Sequence, residues 1–216
     1  MSLQLGNQIP DFTQDSTDGQ INFHDFIDGG WSILFCHPKD FSPVCTTEFG
    51  QLSKLKSEFD KRGVKCVGLC CDTVENHKLW LHDINETQGV TLNFPLVCDP
   101  DGKVASLFGM SCTDPADTMC ARSVFIIDPN KKLRLTLTYP EPTGFNFSEL
   151  LRVVDSLQLT DTHKVATPVD WKYGDDVIIL PSVSNEDAKT MFPHGWDEQK
   201  PYLRVAKQPH KESAVA

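Results

Sequence analysis

Cys45 is the residue best placed to do chemistry in this chain. It lies in "FCHPKDFSPVCTTEFG" (35–50), just after Ser42 and Pro43 and ahead of a run with helical apolar spacing. Ser is a good N-cap and Pro suits the first helical position, so a helix capped at Ser42 puts Cys45 third. A thiol there faces the unpaired amides and the positive end of the helix dipole, which favour a thiolate. An ordinary thiol with a pKa near ~8.5 is only a few per cent ionised at neutral pH, whereas one near about 6 is roughly 90% thiolate. The competing reading is packing, because free cysteines behave as small buried hydrophobes. Packing fits Cys66, Cys70 and Cys98, which lie in apolar strand-like runs. For Cys45 the spacing alone leaves both readings open.

The other cysteines are Cys36, Cys66, Cys70, Cys71, Cys98, Cys112 and Cys120. With Cys45 they total eight, an even count that would suit disulfides in a small secreted chain, but this chain is not small, and reduced thiols in the cytoplasm are the expectation. No C-x-x-C occurs. His77 and His82 have a zinc-finger-like separation without paired cysteines, so no metal site is expected. Every cysteine precedes residue 121.

Regular elements must position Cys45. "WSILFC" (31–36) has the length and apolarity of a buried strand between "DGG" and "HPKD". Phe49, Leu52, Leu55 and Phe59 then space an amphipathic helix that stops at Gly63. "VKCVGLCC" (64–71) predicts a second strand, and a helix capped by Asp72 or Thr73 follows. "NFPLVCDPDGKVASLFGM" reads as short strand, turn and short helix, "RSVFIIDPNKKLRLTLTYP" as a hairpin, and "NFSELLRVVDSLQL" as a closing helix. Strands alternating with helices, then a hairpin, predict an α/β sandwich with a mixed sheet.

Composition narrows the function. The 216 residues suffice for one full domain and a modest second unit, placed here at 1–165 and 166–216. After about residue 165 the chain turns rich in Pro, Gly and aromatics, with one short strand signal, "DVIIL". It reads as an arm too short for a core of its own, packing on the main domain or on a partner subunit, with Trp171, Tyr173, Phe192 and Trp196 expected to favour a dimer surface. No stretch approaches a membrane span, and the start lacks a targeting pattern. The net charge of −10 argues against nucleic acid or an anionic membrane as partner.

"HPKDFSPVCTTE" resembles the active-site signature of the peroxiredoxins: Pro, three residues, Thr or Ser, two residues, then the peroxidatic Cys. Pro38, Ser42 and Cys45 fill those positions. "INFHDF", "CDTVENHKLW", "ARSVFIIDP" and the arm from "VATPVDWKYGDDVIILPSV" resemble the single-cysteine, peroxiredoxin 6 branch. The resemblance implies a thioredoxin-like domain with a C-terminal extension, a homodimer with higher assembly left open, and no cofactor. It implies that the Cys45 thiolate attacks a hydroperoxide and becomes a sulfenic acid. Ser42, the Cys45 amide and Arg122 would stabilise the leaving oxygen, with Pro38 shielding the thiolate. Without the match, Arg122 would read as a solvated strand-end charge. His37 either lines the pocket or serves as a turn residue, and Glu48 either orients Arg122 or favours the helix start by its charge. Two-cysteine relatives resolve the sulfenic acid with a second, distant Cys. Nothing after Cys120 can fill that role, so an external thiol is required, with glutathione the family expectation.

One family feature is missing. Some peroxiredoxin 6 members carry a phospholipase activity attributed to a Gly-Asp-Ser-Trp-Gly stretch, an upstream His and a later Asp. The aligned stretch here is "DGGWS": Gly30 stands at the Ser position, Ser32 follows the tryptophan, Asn130 stands at the Asp position, and only His24 matches. A serine triad cannot be built from these residues. The alternatives to a thiol peroxidase are a non-enzymatic chaperone or redox-signalling partner using the acidic surface, and a phospholipid hydrolase.

Overall fold

The computed structural model describes residues 3–110 and 120–209, which leaves Cys112 outside the described residues. The chain divides into two compact units, Met1–Phe147 and Ser148–Ala216, with the division inside a helix rather than near residue 165.

In the first unit a hairpin, Thr13–Ser16 (β1) and Gly19–Asn22 (β2), leads into a one-turn helix, Phe23–Phe26 (α1). Trp31–Cys36 (β3), Pro43–Lys61 (α2), Val64–Cys70 (β4) and Val74–Gln88 (α3) follow as strand–helix repeats. Leu96–Cys98 (β5), Lys103–Leu107 (α4), Arg122–Ile127 (β6) and Leu133–Tyr139 (β7) complete a seven-stranded sheet of order β2-β1-β5-β4-β3-β6-β7. β3, β4 and β5 run parallel, and the remaining pairs are antiparallel. This is the mixed sheet of the expected thioredoxin-like α/β sandwich. The opening hairpin was not anticipated: its "TQDS" and "GQIN" are polar and short, and β1 joins the sheet through one long-range pair, Ser16 with Val97.

All six residues of β3 are buried, as expected of a central strand covered on both faces. Side chains alternate along a strand, so Leu34 and Cys36 face the way Val67, Leu69, Phe125 and Ile127 face. That face packs on Phe23, Val104 and Phe108 from the short helices. The opposite set, including Phe35 and Arg122, is left for the side occupied by α2. Gly68 on β4 lets this helix come close: a Cβ there would lie 2.7 Å from both Phe49 and Leu96. Gly63 stops the α2 region with a φ of +63°, a conformation glycine adopts without strain. No helix among the described residues is long and apolar enough to cross a membrane.

Phe147–Thr162 (α5) leads into the second unit. There Val165–Ala166 (β8), Val177–Ile179 (β9), Asn185–Met191 (α6), Asp197–Lys200 (β10) and Leu203–Ala206 (β11) form a four-stranded antiparallel sheet of order β10-β11-β9-β8 with one helix. The expectation of an arm without a core is corrected here. Leu159, Trp171, Val177, Ile179, Ala188 and Phe192 cluster into one, and Trp171 is 1% exposed. Two of the four aromatics assigned to a partner surface, Trp171 and Phe192, are therefore spent inside the unit. Tyr173 remains exposed.

Candidate active site

Ser42 caps α2, Pro43 takes its first position and Cys45 falls third. The Ser42 hydroxyl makes no capping bond, while the Ser42 carbonyl accepts from the Thr46 amide (2.9 Å) and hydroxyl (2.8 Å). Thr46 in turn accepts from the Trp80 indole N–H at 3.0 Å, which ties the first turn of α2 to α3. Phe41, just before the cap, holds a φ of +54°, a left-handed conformation that costs a non-glycine residue about 1–3 kcal/mol. Such a turn redirects the chain from the end of β3 into α2.

Cys45 is fully buried. Burial alone would suit the packing reading, but its neighbours do not. The Arg122 Nη2 lies 3.6 Å from its sulfur. Arg122 opens β6, whose residue Ser123 pairs with Cys36 at the end of β3, so the guanidinium arrives where the chain leaves β3 for Cys45. A buried cation must be paired. Arg122 donates to a Glu48 carboxylate oxygen through Nη1, and to the Glu141 carbonyl through Nη2 (2.8 Å) and Nε (3.2 Å). The second Glu48 oxygen accepts from the Phe145 amide at 2.9 Å. Burial pushes Glu48 above the usual carboxylate range, against the pull of the Phe145 amide and Arg122. The guanidinium is thus held by two acceptors, the Glu48 carboxylate and the Glu141 carbonyl, with Nη2 toward sulfur.

Pro38 is buried in the loop after β3. His37, also buried, lines a small cavity with Phe35, Glu48, Phe49, Phe145 and Phe147. Its Nε2 meets Asp40 at 2.8 Å, and the other Asp40 oxygen meets His77 Nδ1 at 2.5 Å. Burial works against charge on Asp40, but the bonds from His37 and His77 outweigh it and lower its pKa. Burial likewise opposes charge on His37, yet its pKa is raised, with Cys70 and Asp40 as the cause. Burial lifts the Cys70 thiol well above its ordinary value. Cys70 is then uncharged at neutral pH, and the Asp40 carboxylate is what holds the proton on His37. His37, Asp40 and Cys70 are also the described residues whose ligand atoms, within 4.8 Å of one another, are spaced to hold a metal ion. Both Asp40 oxygens are already engaged by histidines.

The structure brings Cys45, Arg122 and Glu48 together, and places His37 and Pro38 in the loop leading to Ser42. Sequence reasoning missed Asp40, His77 and the Glu141 carbonyl. An acid three residues after His37 was a visible signal for the first; nothing in the sequence marks the others. Ser32 and His24 share no hydrogen bond. Ser32 is fully buried with an unpartnered hydroxyl, and His24 Nε2 meets the Ile9 carbonyl at 3.1 Å.

Residues 5–136 match the AhpC/TSA family, and residues 156–195 match the C-terminal domain of 1-Cys peroxiredoxin. The chain therefore belongs to the AhpC/TSA family and is a 1-Cys peroxiredoxin, a thiol peroxidase. It is 51% identical to a 1-Cys peroxiredoxin of Dictyostelium discoideum, over 97% of this chain and 87% of that one. The structure of the C45S mutant of peroxiredoxin 6 from Arenicola marina superposes with a TM-score of 0.91 at 44% identity, covering 97% of this chain and 100% of that one. A yeast mitochondrial 1-Cys peroxiredoxin, studied for thiol resolution via the glutathione and thioredoxin systems, superposes at 0.89 with 48% identity, covering 95% and 99%.

Proposed function

We propose that Cys45 is the peroxidatic nucleophile of this thiol peroxidase, acting on hydrogen peroxide and on organic or lipid hydroperoxides. The observation that carries this is a thiol at the start of α2 with a fixed guanidinium 3.6 Å from its sulfur. The Cys45 thiolate attacks one peroxide oxygen, the O–O bond breaks, and the second oxygen leaves as water or an alcohol after taking a proton. Arg122 holds the thiolate and stabilises charge on the leaving oxygen, as pre-placed donors do. The Ser42 hydroxyl, free of capping duty, and the Cys45 amide complete the donor set. Glu48 orients Arg122, Pro38 keeps water from the thiolate, and His37 with Asp40 fixes the loop between them.

The sulfenic acid is returned to thiol by an external thiol. The first thiol forms a mixed disulfide and releases water; a second frees Cys45. Glutathione is the proposed reductant, a reading supported by the yeast relative's glutathione and thioredoxin systems. We place the protein in the cytoplasm, where its free thiols stay reduced. A homodimer is proposed on family resemblance, with Val169, Tyr173 and Tyr202 as the exposed apolar surface of the second unit.

The test is peroxide consumption with glutathione by Cys45→Ser, Cys66→Ser and Cys98→Ser chains. Cys45→Ser should lose essentially all activity, because electrostatic help cannot replace a nucleophile, and the other two should keep most of it. Retention of more than about a tenth of the rate in Cys45→Ser overturns the assignment.

A further inference from the structure

On the sheet face turned away from α2, a second group of thiols meets at the strand ends. Cys36 closes β3, Cys71 directly follows β4, and Cys120 lies two residues before Arg122. The Cys36 and Cys120 sulfurs are 2.7 Å apart, and Cys120 Sγ lies 2.8 Å from the His37 carbonyl. Non-bonded heavy atoms rest about 3.5–4.0 Å apart even when they are carbons, and sulfur is larger. Bonded sulfurs sit at about 2.05 Å. The Cys36–Cys120 separation is thus closer to a bond than to a contact.

Both residues are 1% exposed, and their surroundings are apolar. Burial raises the Cys36 thiol above its ordinary value, so it is a poor direct target for peroxide. Cys71 differs. It is half-buried and packs against the cluster that holds Cys36 and Cys120, and hydrogen bonding toward Cys120 lowers its pKa despite burial. The group therefore holds a reachable thiol, a central thiol and a buried thiol in contact order.

We propose that Cys71, Cys120 and Cys36 form a second redox-active site, in which a hydroperoxide oxidises Cys71 and the oxidation is passed inward to a Cys36–Cys120 disulfide. The Cys71 thiolate attacks the peroxide and takes one oxygen as a sulfenic acid, while the other leaves as water or alcohol. Cys120 attacks the Cys71 sulfur, and water leaves as the first disulfide forms. Cys36 then attacks the Cys120 sulfur, its proton passing to Cys71, which is released as a thiol. In sum, two thiols and one hydroperoxide give one disulfide, one water and one water or alcohol. External thiols of the class that recycles Cys45 reopen it. The closed bond would join the end of β3, which leads to the Pro38–Cys45 loop, to the segment that delivers Arg122. It braces both sides of the Cys45 site when peroxide outruns reductant.

The site is independent of Cys45, so the experiment uses the full-length Cys45→Ser chain. It is treated with hydrogen peroxide, capped with an alkylating agent, and read by intact mass and non-reducing peptide mapping. The expected result is loss of two alkylatable thiols and the mass of two hydrogens, with the Cys36 and Cys120 peptides linked. Adding Cys71→Ser should slow closure at least about tenfold, since a neutral buried thiol reacts poorly. The unaltered chain, given excess peroxide without reductant, should yield the same linked peptide. Oxygen retained on Cys71 without a disulfide, or linkage between other cysteines, overturns the proposal. Neither outcome bears on the role of Cys45, which is absent from the test chain.

Discussion

Cys45 and Cys36 are both buried to within about a hundredth of their surface, yet their surroundings are opposite. Cys45 lies at a helix start beside a guanidinium held by Glu48 and the Glu141 carbonyl. Cys36 lies on the other sheet face, among apolar side chains, with the Cys120 sulfur 2.7 Å away. Burial therefore does not separate the peroxidatic thiol from the other buried thiols of this fold. A fixed cation does. The alternation of β3 and β6 decides which thiol receives one, because it sends Arg122 to the α2 face and Cys36 to the other.

The largest expected effect comes from erasing that difference. Arg122→Met should slow peroxide reduction by about 10²–10³-fold, the usual cost of losing one pre-placed donor to a leaving oxygen. Stopped-flow kinetics on the folded variant would measure it. An unchanged rate would mean that Cys45 and Cys36 differ for some other reason.

A second contrast concerns the loops. The one before Cys45 is pinned by the buried His37–Asp40–His77 chain, while Cys36 is held by apolar packing. Asp40→Asn breaks a buried ionic contact and should cost about 3–5 kcal/mol in urea unfolding. The sign of the pH dependence follows from the shifts. His37 has a raised folded pKa, so its contribution is complete below about 6.5 and fades as pH rises through the raised value. Asp40 has a lowered one, so its contribution holds above about 3.9 and is lost as pH falls through the lowered value. Stability should decline on the alkaline side, and His37→Asn should flatten that limb. A flat profile in the unaltered chain would show His37 to be neutral when folded.

The smallest effect is a predicted zero. Ser32 is a third buried nucleophile type, and no hydrogen-bond partner meets its hydroxyl. Phosphatidylcholine vesicles should release no fatty acid at acidic or neutral pH, and Ser32→Ala should change nothing. Release that disappears in Ser32→Ala would contradict this reading.

Much of this arrangement was legible because it is local. Ser42, Pro43 and Cys45 specify a helix start within four residues, and β3 appeared at its full length from a six-residue run, apolar but for Ser32, between turns. What was hidden depends on distance. The Glu141 carbonyl has no side-chain signature, and His77 reaches Asp40 from 37 residues away. The second unit was under-read for a related reason. Its strands run two to four residues, too short to show a period, and only packing around Trp171 and Val177 makes them a sheet. The Cys36–Cys120 contact spans 84 residues, so no spacing rule could suggest it.

The central claim is that the cation beside Cys45, rather than burial, makes it the reacting thiol. Single-turnover oxidation with substoichiometric hydrogen peroxide, trapped with a sulfenic-acid reagent and mapped by mass spectrometry, tests it most directly. The account predicts that the first trapped sulfenic acid is on Cys45, ahead of Cys71 and every other cysteine. Trapping on another cysteine while Cys45 remains reduced would contradict it.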